Sequence, residues 1–327
     1  MIEFQYKNLD FKEKPWFKGL TKIVGSENIF FSFLDRIAYA RDRWPLATLC
    51  YRFGKIPLSM PDCIVSPRSI NEVVEVVILA NEYGVPIIPF GAGSGVLGGA
   101  LPLKGGVILD LKRLNRLIEI DEISCLSRVQ SGMNGELFEA ALNRKKFTLG
   151  HFPQSLHCST IGGWIATRSA GQASSHYGKI EDMVVSLQVV LPNGDLIETK
   201  TTPRSATGPN INHIFLGSEG TLGVITEATF RILPYPERES IHVVGFETII
   251  SGLEAIRQIM QAELRPAVVR LYDEAESNEL LSQIPGYKSN PCILILTFNG
   301  LREIVEGEER IALRYCRNNG GKDSGPE

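Results

Sequence analysis

The sequence lacks the patterns of a zinc-binding, dithiol redox, membrane-spanning or secreted protein. No two of its six cysteines stand at CxxC spacing, which excludes a zinc ribbon and a dithiol redox motif, and no metal is expected. No apolar run approaches the ~20 residues of a membrane-spanning helix, and the polar N-terminus has no signal-peptide core. These absences predict a cytoplasmic protein with reduced cysteines.

Excess charge of either sign is also missing. The net charge is −3 over 327 residues, so no basic field covers the whole molecule. Nucleic acid is therefore disfavoured as a partner, because neutralising phosphates requires clustered Lys and Arg. The hydrophobic content of 43% excludes the disordered class, and the length favours two domains.

Strand and helix patterns alternate through the first two thirds of the chain. A docking helix is predicted over residues 31–44 and a linker over 51–61. Ser69 resembles an N-cap for a helix that Gly84 ends. The predicted helices span residues 70–83 and 134–144, and the predicted strands span 62–65, 86–90, 107–111, 117–120, 125–130, 184–191, 196–200 and 223–233.

Pro234 and Pro236 mark the main predicted domain boundary. Beyond it, strands are predicted over 241–246, 268–272 and 293–298, and helices over 253–261 and 306–317. The closing GGKDSGPE carries neither a helix nor a strand pattern. This ending favours an interrupted domain over a small natural domain with a frayed tail.

A glycine-rich loop follows the strand at residues 86–90. It has five glycines in nine residues, from Gly91 to Gly99, and such a backbone can approach a ligand and point its N–H groups at a pyrophosphate. Its GxGxxG triplet is not a Rossmann site, because Pro102 and Gly105-Gly106 precede a strand where a helix is required. A P-loop is excluded because no Gly-Lys-Ser/Thr closes it. A glycine connection without a ligand stays open as the alternative.

Two more segments carry small polar residues and glycines. Residues 153–164 place hydroxyl groups before Gly162-Gly163, which suits a polar ligand or, alternatively, a plain helix N-cap. Residues 217–226 place three glycines at steps of three ahead of a strand. A tight helix-to-strand turn would explain the glycines of residues 217–226 equally well.

The three segments together, PFGAGS, STIGGW and GSEGTLGVIT, resemble the FAD-binding PCMH-type (vanillyl-alcohol oxidase) flavoprotein family. The likeness covers roughly residues 55–235. It implies an α+β fold with a two-subdomain FAD-binding domain over 57–236. A helical segment and linker over 1–56 would precede this domain, and a truncated α+β substrate or cap domain over 237–327 would follow it.

The resemblance also implies where FAD binds. The pyrophosphate would lie on the first loop, and the isoalloxazine ring near the other two segments. Many family members bind FAD covalently through a His of the first loop; Gly93 stands at about that position and no His lies between Gly91 and Gly99, so FAD is expected to be non-covalent. The implied cofactor residues are Pro89, Gly91, Ala92, Gly93, Ser94, Gly95, Pro153, Ser155, Ser159, Thr160, Gly162, Gly163, Thr167, Ser169, Ala170, Gly171, Glu219, Gly220, Gly223, Val224 and Ile225.

Within this family, other segments are most similar to the alkylglycerone-phosphate synthase (alkyl-DHAP synthase) branch: residues 150–153, 167–171, 175–184, 202–210 and 270–273. That branch makes ether lipids by exchanging an acyl for an alkyl group on acyl-dihydroxyacetone phosphate, through flavin N5. The likeness makes Arg270, His151 and His176 the catalytic candidates. Each of the three has a structural role as its alternative. The branch's catalytic Tyr and His cluster is expected beyond residue 327.

Two other functions stay open at this point. One is an FAD-linked oxidase or dehydrogenase of a small 2-hydroxy acid such as glycolate or D-lactate. The other is an inactive FAD-binding fragment. A small-molecule or lipid-phosphate substrate is expected, and a homodimer and peripheral membrane contact are both compatible with the sequence.

Overall fold

A computed structural model of the chain describes residues 13–54, 59–281 and 292–326. The described helices are α1 (Pro15–Val24), α2 (Phe33–Tyr39), α3 (Pro45–Arg52), α4 (Ile70–Tyr83), α5 (Gly135–Arg144), α6 (Ile161–Thr167), α7 (Ser174–Tyr177), α8 (Ile180–Met183), α9 (Asn212–Phe215), α10 (Ile249–Gln261), α11 (Glu274–Leu281) and α12 (Arg302–Asn318). The described strands are β1 (Ile29–Phe30), β2 (Cys63–Val65), β3 (Ile87–Phe90), β4 (Val107–Asp110), β5 (Leu117–Asp121), β6 (Leu126–Gln130), β7 (Phe147–Thr148), β8 (Val184–Val190), β9 (Leu196–Glu198), β10 (Val224–Arg231), β11 (Leu233–Pro234), β12 (Arg238–Phe246), β13 (Val268–Tyr272), β14 (Cys292–Gly300) and β15 (Lys322–Pro326).

The chain divides into two compact units. The described residues within Met1–Arg144, Ser155–Ser169 and Ile180–Ile232 form the first unit. Those within Lys145–Gln154, Ala170–Lys179 and Leu233–Glu327 form the second. The predicted domain limits at residues 56 and 236 stay a prediction, since the units are discontinuous in sequence.

A four-stranded sheet of order β1-β2-β4-β3 begins the first unit. Strands β2 and β3 both run parallel to β4, which requires crossover connections, and α4 supplies one of them. This helix starts where Ser69 Oγ accepts a hydrogen bond from Glu72 N–H and ends at Gly84 in the left-handed conformation. Its apolar face packs into one core with α1 and the sheet, formed by Trp16, Phe17, Leu20, Val24, Cys63, Val65, Val73, Val76, Val77, Val107 and Leu109 among others.

The second sheet of this unit is antiparallel, with the order β5-β6-β10-β8-β9. Strand β10 lies at its centre, and every residue from Val224 to Phe230 is buried. A turn at Asn193-Gly194 joins β8 and β9, as the hairpin signal predicts.

The second unit is built on an antiparallel sheet of order β13-β14-β12-β15. Helices α10 and α12 share a core with this sheet that includes Val244, Phe246, Ala255, Ile259, Leu294, Leu296, Ala312 and Leu313. Strands β7 and β11 form a separate two-stranded sheet in the same unit.

The mixed α+β class predicted from the sequence is confirmed, and most predicted elements fall within two residues of the observed ones. The glycine loop leads to β4 without a helix, which confirms that it is not a Rossmann motif. In the described part of the chain, no helix is both long enough and apolar enough to cross a membrane.

Two predictions were wrong. The docking helix predicted over 31–44 is only the shorter α2, which ends at Tyr39; Asp42 Oδ1 then accepts a hydrogen bond from Trp44 N–H, and Pro45 begins the separate helix α3. No residue of α2 is fully buried, and its contact with the rest of the first unit includes the ring of Tyr39, which packs on Phe90. The predicted structureless ending is also wrong: Lys322–Pro326 forms β15 on the edge of β12. Residues 55–58 of the predicted linker lie outside the described residues.

Candidate active site

One cavity of about 320 Å³ in the first unit collects most of the predicted cofactor residues. A volume in this range is typical of sites for small molecules. Its lining takes residues from all three glycine-containing segments. The predicted residues among them are Pro89, Gly91, Ala92, Gly93, Ser94, Gly95, Ser155, Ser159, Thr160, Gly162, Gly163, Thr167, Ser169, Glu219, Gly220, Gly223 and Ile225.

The glycine loop, residues 91–99, forms one wall of this cavity. Gly93 has φ +64°, and a Cβ there would lie 2.6 Å from Cζ of Phe90, so only glycine fits without strain. Within the described chain, the N–H groups of Gly93, Ser94 and Gly95 donate to no protein acceptor. These main-chain donors belong to neighbouring residues that line the cavity, and such a group of donors suits an anionic ligand.

The second segment, residues 153–164, lines the cavity, but several of its hydrogen-bonding groups are already used within the protein. Ser159 Oγ donates to Ser155 O and accepts from Trp164 Nε1, both at 2.7 Å, so its hydroxyl is already engaged. The N–H of Gly162 donates to Ser131 O at 2.7 Å. Thr160 precedes α6, but its side chain does not cap the helix. The Thr160 hydroxyl therefore remains the best-placed polar group of this segment for a ligand.

The third segment contacts both of the others. Glu219 N–H donates to Ala166 O at 3.0 Å, just after the second segment. Its carboxylate reaches the glycine loop, where a Cβ on Gly99 would lie 2.4 Å from Oε2. Glu219 itself has φ +49°, a conformation that is uncommon outside glycine and clusters at functional sites. The fold thus brings three distant segments to one place.

Ser131 is a cavity residue that the sequence did not point out. It is 1% exposed, and its Oγ has no hydrogen-bond partner among the described residues. Its main chain is held on both sides, because its N–H donates to Thr226 O at 2.9 Å and its C=O accepts from Gly162. An unpaired buried hydroxyl is costly, which makes it suited to a bound acceptor.

Asp42 also lines the cavity and was not predicted. The residues next to Asp42 in the sequence do not indicate a binding role. Its partner in the glycine loop, Gly98, is 56 residues away, so a local pattern could not have found it. Ser131 had a weak signal, because it is a polar residue directly after a strand and before Gly132. Small polar residues at strand ends often contribute to sites.

The remaining predicted cofactor residues do not line this cavity. Val224 is buried in β10 of the first unit, next to Ile225, which does line it. Pro153, Ala170 and Gly171 belong to the second unit. No contact described here supports a cofactor role for these four, and their assignment stays a prediction.

The three catalytic candidates all belong to the second unit. His151 is 1% exposed. The Nδ1 atom of His176 lies 2.9 Å from Arg265 O, and its ring packs edge-on against Tyr177. Arg270 is an exposed residue of β13, with Nη1 3.4 Å from the hydroxyl of Tyr272.

The residues of the cavity fit FAD on two structural observations. The adjacent N–H groups of the glycine loop suit a pyrophosphate, and the buried Ser131 hydroxyl has no hydrogen-bond partner in the described structure. No covalent attachment site is needed for either interaction. The lining of the cavity also includes apolar side chains such as Leu97, Leu111 and Trp164, which suit an aromatic ring system.

Two family models match this chain. The family described as "FAD binding domain" matches residues 61–200, and that described as "FAD linked oxidases, C-terminal domain" matches residues 235–325. An alkyldihydroxyacetonephosphate synthase of Dictyostelium discoideum is 40% identical over 280 residues, covering 78% of this chain and 46% of the relative. The glycolate oxidase subunit GlcD of Bacillus subtilis (strain 168) is 34% identical over 301 residues, covering 91% and 62%.

A solved structure of an alkyldihydroxyacetonephosphate synthase has the same fold, with a TM-score of 0.86 and 30% identity. It covers 95% of this chain and 60% of the solved chain. This chain therefore spans about half to two thirds of the length of these relatives. The two matched families together take in the larger part of the chain; the first two motifs lie within the first match, and the third lies between the two matches. The chain is an FAD-dependent flavoprotein of the PCMH-type family.

Proposed function

We propose that FAD binds in the cavity of the first unit and that the chain belongs to an enzyme exchanging the acyl group of an acyl-dihydroxyacetone phosphate for an alkyl group. The observation that supports the site is that the successive N–H groups of Gly93, Ser94 and Gly95 have no acceptor among residues 13–54, 59–281 and 292–326. The observation that supports the reaction is the 40% identity to the Dictyostelium synthase, against 34% to the Bacillus glycolate oxidase subunit.

Different residues of the cavity would bind different parts of FAD. The glycine loop would hold the pyrophosphate with main-chain N–H groups, which carry no net charge and need no side chain. Thr160 and Ser131 would offer hydroxyl groups to acceptors further along the ligand. When bound, FAD supplies the electron-accepting isoalloxazine ring that the chemistry of this family requires.

Arg270 and His176, both in the second unit, are the proposed catalytic residues. Arg270 presents an exposed guanidinium, whose planar fork suits the phosphate of dihydroxyacetone phosphate. Because Nδ1 of His176 faces the carbonyl of Arg265, that nitrogen carries the proton and Nε2 is left as the acceptor in the neutral ring. His176 is thus a better candidate for proton transfer than His151, which is almost completely buried.

Oxidation of a small 2-hydroxy acid is the second candidate function. It is favoured by the longer alignment to the glycolate oxidase subunit, which covers 91% of this chain. In that reaction the substrate loses two electrons and two protons and becomes a 2-oxo acid. Arg270 would then bind a carboxylate in place of a phosphate, a role that the same guanidinium fork can perform.

The two candidates differ in whether the flavin changes its redox state over a complete reaction. The purified protein is loaded with FAD and mixed without oxygen with palmitoyl-dihydroxyacetone phosphate and hexadecanol, or with D-lactate or glycolate. Release of palmitate with formation of the alkyl ether supports the exchange. Persistent bleaching of the flavin by D-lactate or glycolate supports the oxidase and refutes the exchange. If neither occurs while FAD is bound, both reactions are refuted for this chain and flavin binding alone remains.

A matched pair of variants tests the role of Arg270. Arg270→Ala should weaken the response to the substrate and leave the FAD content unchanged. Arg257→Ala removes another exposed arginine of the second unit, one that pairs with Glu254 on α10, and should change neither. Equal effects of the two substitutions would argue against a substrate contact at Arg270. The homodimer, the compartment and the non-covalent attachment of FAD remain predictions.

A further inference from the structure

The segment between α2 and α3 is fastened to the glycine loop by a buried carboxylate. Asp42 is 5% exposed. Its Oδ2 accepts a hydrogen bond from Gly98 N–H at 2.8 Å, and its Oδ1 accepts one from Trp44 N–H at the same distance. Both oxygens of this one side chain are therefore used by main-chain donors.

A second contact lies next to the first. Arg43 N–H donates to Gly95 O at 2.8 Å, so consecutive residues 42 and 43 hold two points of the loop. The indole of Trp44 lies against Gly98, where a Cβ would be 3.4 Å from Cε3. The carbonyl of Gly95 is thereby held by Arg43, while the Gly95 N–H donates to no acceptor among the described residues.

The base of the loop is fixed by the preceding residues. The hydroxyl of Tyr39 donates to Asp110 Oδ2 at 2.6 Å, and its ring packs on Phe90, the last residue before the loop. Lys112 Nζ lies 2.9 Å from the same Asp110 oxygen and 3.4 Å from Gly91 O. Residues 39–44 thus contact the loop at its base and near its far end.

We propose that Asp42 is a positioning residue that sets the glycine loop in the shape that binds the pyrophosphate, acting through Gly98. This inference rests on the proposed FAD site. A loop with five glycines has many accessible conformations, and ordering it on binding would cost affinity. The Asp42 carboxylate accepts a hydrogen bond from Gly98 N–H and so orders the loop before FAD binds, which lowers the conformational entropy lost on binding.

The carboxylate is required because both donors point at it. In Asp42→Asn one oxygen becomes an NH₂ group, which must face either Gly98 N–H or Trp44 N–H, donor against donor. The size of the side chain is kept, so a role in packing alone would survive this substitution. Removing a charge that lines an anion site would by itself favour FAD, so a loss of affinity cannot come from the altered charge.

The experiment measures two properties of Asp42→Asn. FAD affinity, obtained from quenching of flavin fluorescence on binding, should fall by about tenfold or more, as expected for a lost hydrogen bond to a charged group. Deuterium uptake without FAD should rise in the peptide that covers residues 91–101 and stay unchanged in the peptide of α4. Asp62→Asn is the matched control, because Asp62 Oδ2 accepts from Gly106 N–H at the other end of the same connection and does not line the cavity. It should keep the affinity for FAD.

Either of two results would overturn the inference. Unchanged FAD affinity in Asp42→Asn would do so, and so would a weakened affinity with no change in exchange of the loop. The proposed site has its own test in Gly163→Leu, which places a side chain at the cavity wall next to Thr160. If Gly163→Leu keeps full FAD affinity, the site itself is wrong. If it loses FAD while Asp42→Asn does not, only the role of Asp42 is wrong.

Discussion

Gly91 and Thr160 lie so close together that a Cβ on Gly91 would stand 2.2 Å from Oγ1 of Thr160. These two residues are 69 positions apart and belong to different motifs of the cavity wall. The first motif can therefore contain no side chain at this point unless the second one moves.

This contact predicts a coupled effect of two substitutions. Gly91→Ala should lower FAD affinity by about 1–3 kcal/mol, because the new methyl group displaces Thr160 or the loop. Thr160→Ala removes the obstructing hydroxyl, so the double variant should bind FAD better than the two separate effects predict. FAD titration of all four proteins measures this coupling. Gly307→Ala, where no atom lies within 4 Å of the added Cβ, is the control. Strictly additive losses would argue against direct contact.

Gly93→Asp should abolish FAD retention. The new side chain would meet the ring of Phe90, its backbone would be strained at φ +64°, and its charge would face the pyrophosphate. Gly208→Asp introduces the same charge at a similar φ of +67°, in a place with no atom within 4 Å. That control separates the local effect from general strain. Normal FAD content in purified Gly93→Asp would show that the loop does not hold the cofactor.

Ser131→Ala should change stability and binding in opposite directions. Removing an unpaired buried hydroxyl should leave the FAD-free protein equally stable or slightly more stable. FAD affinity should fall by about 3- to 10-fold, the value of one ordinary hydrogen bond. The contrasting control is Ser127→Ala, because Ser127 Oγ donates to Glu119 O at 2.9 Å. That variant should lose stability and keep its affinity. Unfolding in urea and FAD titration give both quantities, and an unchanged affinity in Ser131→Ala would remove this residue from the site.

FAD should leave the protein when it is denatured by acid. The first loop, from Gly91 to Gly99, contains no histidine that could attach the flavin. After precipitation, the yellow colour and FAD should therefore be found in the supernatant. A yellow pellet would demonstrate a covalent bond and refute the prediction made from Gly93.

Acid should weaken the second unit through Glu309. Burial raises the pKa of this carboxyl, but hydrogen bonds from Ser240 and His242 outweigh that effect and hold the pKa below its ordinary value. A group with a lowered folded pKa stabilises the protein above its unfolded pKa and loses that contribution as the pH falls. Stability should thus decline as the pH drops below about 4.5, and Glu309→Gln should decline less. Urea unfolding at neutral and acidic pH tests this, and parallel curves for the two proteins would contradict it.

Local pattern was enough to predict most secondary structure and the position of the glycine loop. Ser69 and Gly84 bound α4 because N-cap and left-handed C-terminal preferences act within a few residues. Pattern failed where a distant partner decided the outcome. Lys322–Pro326 has little strand propensity of its own and becomes β15 only because the edge of β12 offers hydrogen bonds.

The sequence by itself determined the family, the cofactor and most of the residues around the cavity, since glycine and hydroxyl motifs are local and their residue types are dictated by close backbone approach. Only the tertiary structure decided which groups stay available for a ligand. In the described part of the chain, the N–H of Gly162 donates to Ser131 O, whereas those of Gly93, Ser94 and Gly95 donate to no acceptor. The tertiary structure also brought Asp42 to a loop more than fifty residues away. Such pairings depend on how the chain packs, because a hydrogen bond requires two groups within about 3 Å whatever their separation in sequence.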